Sequence, residues 1–134
     1  MIRRLWLLLP AVVLYFADIS FTLAGQPAAY WGGDYSQPAE HNPLAHALLA
    51  RHPALFAGAA VAWAVAFSAI VLLWRHRASG WVAVLLAFGH AIGGSTWLAR
   101  HGPGGWALAV VFLVLAAGFA RGCWRRAGLI EPGA

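Results

Sequence analysis

Four long apolar stretches, residues 5–23, 54–74, 81–98 and 104–120, constrain this chain more than any other feature. A helix needs about 20 residues to cross the hydrocarbon core, so each stretch is long enough, the last one barely. Inside lipid the backbone must satisfy its own hydrogen bonds, which makes these segments helices rather than strands. Composition agrees, because only 10% of residues are charged where a soluble domain carries roughly 25%. The expected fold is all-α: one integral membrane bundle of four transmembrane helices filling residues 1–134, without a soluble domain.

The net charge of +5 does not point to nucleic acid, because its distribution follows the spans. Arg3 and Arg4 precede the first, Arg75 and Arg77 separate the second and third, and Arg121, Arg125 and Arg126 follow the fourth. Only Arg51 and Arg100 fall on the other side. This is the positive-inside pattern, and it places both termini in the cytoplasm of a multi-pass protein of the cell (inner) membrane. Trp6, Trp74, Trp81 and Trp124 at one set of ends, and Trp31, Trp97 and Trp106 at the other, form aromatic belts. Trp63 alone falls near mid-membrane.

The start, MIRRLWLLLPAVVLYF, has the charge and apolar run of a signal peptide. No Cys follows Leu-Ala-Gly at positions 23–25, so a lipoprotein signal is excluded, and the segment reads as a signal anchor serving as the first helix. Pro10 removes a helical donor there and predicts a bend. Cys123 is the single cysteine. One thiol cannot form an internal disulfide or a relay, which excludes membrane thiol oxidoreductases and cysteine-based zinc or iron–sulfur sites.

Between the first two spans lies the one long polar stretch, rich in Gly, Pro and aromatic residues, with Tyr30, Trp31 and Tyr35 expected at the membrane surface. Asn42-Pro43 reads as a helix start, Asn as N-cap and Pro at the first helical position. A short helix over residues 43–51 follows, with Leu44, Leu48 and Leu49 on one side, and Pro53 breaks or restarts it. One straight helix from Pro43 to Trp74 would be about 48 Å long, too long for a bilayer. A short helix lying in the interface and kinked into the second span is therefore expected.

Asp18 is the polar residue most in need of explanation. An acid within a span costs roughly 2.5–3.5 kcal/mol at mid-membrane and less near the interface. It shares a helix face with Thr22 and should face the bundle with a partner, either a structural donor (loop amides, Ser95 or Thr96) or a proton, metal or substrate. His90 lies at a depth within a few ångströms of Asp18. Glu40, His41, His46 and His90 are the residue types that would hold a transition metal at the outer face, although the spacing matches no zinc signature. His52 stands nearby in the same outer loop. Gly93 and Gly94 leave room for close approach. No nucleophile elbow or phosphate loop is present, and Ser20, Ser68 and Ser95 have no base beside them.

Asp18-x-x-x-Thr22 followed by Glu40-x-Asn42-Pro43 resembles a family of small bacterial membrane proteins known chiefly as a domain of unknown function. The match covers the first half of the chain. It implies that Asp18, Thr22, Glu40, Asn42 and Pro43 act as one unit, and it supplies no reaction. Physically, the outer loop would fold back so that the amides around Asn42 meet the Asp18 carboxylate.

Two functions from different classes follow. In the first, the protein is an accessory subunit or assembly factor whose small-residue faces pack against another membrane protein or a second copy within the bilayer. In the second, it is a metal- or proton-dependent enzyme or transporter with its site at the outer face.

Overall fold

The computed structural model describes residues 1–74, 76 and 78–130, and these form six helices: α1 (Ile2–Ala24), α2 (Ala28–Trp31), α3 (Pro43–Leu49), α4 (Pro53–Leu73), α5 (Ala78–Ala99) and α6 (Gly102–Ala127). Arg75 and Arg77, counted above among the positive charges, lie outside the described residues. Helices α1, α4, α5 and α6 are each long and apolar enough to cross a membrane.

The ends of these helices follow from local chemistry. Helix α1 runs unbroken through Pro10. Helix α4 starts at Pro53, where the His52 ring accepts from the Ala54 amide. At its other end Arg4 reaches across from α1 and donates to the carbonyls of Val71, Leu72 and Trp74 at 3.1, 3.1 and 2.7 Å, satisfying acceptors that a helix terminus leaves open. Helix α6 continues past the apolar stretch to Ala127, carrying Arg125 and Arg126 in its last turn, and stops where Gly128 adopts φ 73°. The Leu129 amide then bonds back to the Trp124 carbonyl, a helix end that favours glycine.

Helices α1 and α5 form the most extensive pairing and make the centre. Ala83, Ala87 and Ala91 recur at helical spacing on α5 and are buried with Ala11, Leu14 and Tyr15 of α1, so small side chains bring the two backbones close. Helix α6 packs on both. Helix α4 packs mainly on α1, and α4 and α6 make no contact with each other among the described residues.

The outer segment departs from expectation in two ways. Residues 28–31 form a one-turn helix, and Tyr30 is fully buried inside the protein. Its ring packs with Leu49 and Phe56, and its hydroxyl donates to the Leu49 carbonyl at 3.1 Å. Burial, with Tyr35 adding a smaller effect, pushes its phenol above the ordinary value. Trp31 is exposed as expected, and Leu44, expected to side with Leu48 and Leu49, is exposed too.

Candidate functional site

The site begins on the α1–α5 contact. Asp18 Oδ2 lies 2.9 Å from Nδ1 of His90, with both side chains largely buried. The ionised carboxylate only accepts, so Nδ1 is the donor, and in the neutral ring Nε2 is left as an acceptor. One neighbour holds the ring and another borders the carboxylate. Tyr15, almost one turn before Asp18, meets it edge-on at 4.6 Å and anchors its own hydroxyl on the Ala60 carbonyl of α4 at 2.9 Å. Gly93 lies against the carboxylate with no side chain to displace it. Thr22, one turn beyond Asp18, is buried.

The loop between α1 and α4 is pinned above this pair. Buried Gln26 donates to the Thr22 carbonyl at 2.8 Å and accepts from the Ala39 amide at 2.9 Å. Arg100, at the end of α5, takes the Ala39 carbonyl at 2.9 Å and the Nδ1 of His41 at 2.9 Å. Its guanidinium lies 3.8 Å over the buried Trp97 ring, a cation–π arrangement that holds the fork in place. The backbone of one residue, Ala39, is thus clamped on both sides from the ends of two helices, and the residues after it border the space beside Asp18 and His90. Glu40 Oε1 accepts from the amides of His41 and Asn42, both at 2.7 Å. Asn42 caps α3 through the amides of Leu44 and Ala45, with Pro43 at the first position.

These groups enclose a cavity of about 550 Å³. Asp18, His90, Glu40, His41, Asn42 and Arg100 all line it, and Thr22, Gly93 and Thr96 complete its polar wall. It is open rather than sealed, and its size falls within the roughly 300–1,000 Å³ of small-ligand sites.

Of the residues expected to form one unit, Asp18, Thr22, Glu40 and Asn42 line this cavity, while Pro43 starts the helix beside it. The partner of Asp18 differs from the expectation. The loop amides are held by Glu40 and Asn42, and Ser95 and Thr96 turn back onto the carbonyls of Ile92 and Gly93, so His90 meets the acid. Of the metal candidates, Glu40, His41 and His90 share the cavity wall and His46 is not part of it. Among the described residues no three His, Cys, Asp or Glu side chains are gathered so as to hold a metal ion. Sequence reasoning passed over Gln26, Tyr15 and Arg100. Only Arg100 left a signal, as one of two arginines on the side where positive charge is scarce.

No protein-family model, curated protein or solved structure matches the chain. Fold and site define the class: a multi-pass, all-helical membrane bundle with a cavity, partly polar and partly apolar, at one end of its central helix pair.

Proposed function

We propose that this is a multi-pass protein of the cell inner membrane, with both termini cytoplasmic and α3 lying in the outer interface, that works as a small proton-dependent enzyme or transporter. It binds a polar ligand in the outer-face cavity and exchanges a proton with it through Asp18 and His90. The observation that carries this reading is the 2.9 Å contact between two ionisable side chains, within spanning helices, on the wall of an open cavity. Intramembrane ionisable pairs are costly and mark proton or substrate paths. Asp18 fixes the tautomer of His90 and stabilises the imidazolium formed when Nε2 takes a proton.

The test uses the full chain in its host. Whatever process deletion of the gene disrupts, His90→Gln expressed to normal level should reproduce that defect. Diethyl pyrocarbonate should acylate His90 as well as exposed His52 and His101. Full complementation by His90→Gln, or an inert His90, makes the pair a structural lock and defeats the proposal.

A second reading, an accessory subunit or assembly factor packed against another membrane protein or a second copy, is favoured by α4. That helix leaves Val61 and Val65 more than half exposed on the outside of the bundle, where lipid or a partner helix would cover them.

A further inference from the structure

The cavity does not end at His90. An apolar groove of about 300 Å³ runs on from it toward α4, lined by Tyr15, Leu44, Leu48, Ala59, Ala60 and Trp63. The two spaces adjoin, with Ile19, Asn42, Ala45, Phe56 and His90 lining both, so a chamber that carries the charged groups lies directly beside an apolar trough. His90 stands at the junction.

The charges of the chamber are unevenly satisfied. Asp18 is paired with His90. Arg100 donates to two neutral acceptors and has no carboxylate partner among the described residues, so its charge is not neutralised. Its guanidinium is held over Trp97, and each terminal nitrogen, with one hydrogen engaged, keeps a second one for an anion such as a phosphate. Glu40, on the same wall, offers a carboxylate for a cation. A ligand complementary to chamber and trough together has a phosphodiester, an ammonium and an alkyl chain.

We infer that chamber and trough together form a binding site for a zwitterionic phospholipid of the outer leaflet, with its phosphate at Arg100, its ammonium toward Glu40 and one acyl chain in the groove beneath α3. This assignment rests on the reading of the Asp18–His90 cavity as a ligand site and names the ligand class. It supplies a reason for the polarity change at His90, because only an amphiphile matches both halves. A lipid already in the bilayer gains little from moving its acyl chain into such a trough, so selectivity must come from the headgroup.

The full chain in mild detergent, given dioleoylphosphatidylethanolamine and examined by native mass spectrometry, should retain one lipid. Arg100→Gln should lower retention about tenfold, the effect of losing one charged hydrogen-bonding partner. Ala59→Trp, which fills the groove, should abolish it, while Val65→Trp on the outside of the same helix should not. Thermal melts identify variants that fail to fold, and Leu44→Trp, at an exposed groove position, replaces Ala59→Trp if that variant does. Equal retention of dioleoylglycerol or dioleoylphosphatidylglycerol overturns the headgroup assignment, and unchanged binding in the groove-filling variant overturns the site. Lipid retention alongside full complementation by His90→Gln would keep this site and remove proton exchange. A deletion-like His90→Gln with no retained lipid would do the reverse.

Discussion

Gly93 and Asp18 meet across the α1–α5 contact so closely that no side chain fits between them: a Cβ on Gly93 would stand 2.5 Å from Oδ2 and 2.9 Å from Oδ1 of the carboxylate. The carboxylate can yield only by leaving His90, since that bond sets its position. Gly93→Ala should therefore break the pair and destabilise the protein by about 1–3 kcal/mol, the usual cost of overpacking. The ¹⁵N spectrum of the His90 ring reports the loss. A variant with unchanged ring shifts would show that the two helices separate instead.

Asp18 and His90 should also be separable by chemistry. Asp18→Asn keeps an oxygen that accepts from Nδ1, whereas Asp18→Leu leaves a largely buried donor unmatched at about 1–3 kcal/mol. Thermal unfolding in detergent should rank wild type above Asn and Asn above Leu. The double variant Asp18→Leu/His90→Leu should recover much of the loss, because no polar group is left stranded. If Asn and Leu are equally damaging while both fold, the acid is needed as a charge.

Most of the fold was legible because membrane spans announce themselves: an apolar run of fixed length has few alternatives, and α1, α5 and α6 each contain the expected stretch while α4 covers all of its own but Trp74. The ends were less legible. Helix α6 continues to Ala127 because arginines beyond the lipid still favour helix, which hydropathy does not register. Asn42-Pro43 was readable since capping is local. The Asp18–His90 pair is separated by 72 positions and depends on how two helices rotate against each other, so matching depths made a contact possible without requiring it. Gln26 gave nothing, because its burial depends on where the loop returns.

That return makes Gln26 a sensitive point. Its side chain joins the end of α1 to the Ala39 amide, and Arg100 holds the carbonyl of the same residue. Gln26→Leu should leave the helices intact but loosen the cavity roof. Hydrogen exchange at the amides of residues 39–42 should rise about tenfold for each 1.4 kcal/mol of protection lost. Unchanged exchange would assign the clamp to Arg100 alone.

Tyr30 predicts an alkaline limit to stability. Its phenol is raised above the ordinary value of 10.0, chiefly by burial, so the folded state holds its proton more tightly than the unfolded chain does. The contribution is complete below pH 10.0, declines as the unfolded phenol ionises, and is gone above the raised folded value. Melting temperature in detergent should fall over that interval. Tyr30→Phe should start lower, having lost the bond to the Leu49 carbonyl, and should fall less steeply.

Topology follows from the same charges that shape the two ends. Arg126 lies 4.6 Å over the Trp6 ring and Arg4 caps the end of α4, so the start of α1, the end of α4 and the end of α6 share one face of the membrane. Among the described residues, Arg51 and Arg100 are the arginines at the other. The proposed topology keeps this positive charge, and with it both termini, in the cytoplasm. In a Cys123→Ala background, Gln37→Cys should react with an impermeant maleimide on intact host cells. Leu129→Cys should react only after the inner membrane is opened. The reverse pattern would put the Asp18–His90 cavity on the cytoplasmic side and overturn its assignment to the outer leaflet.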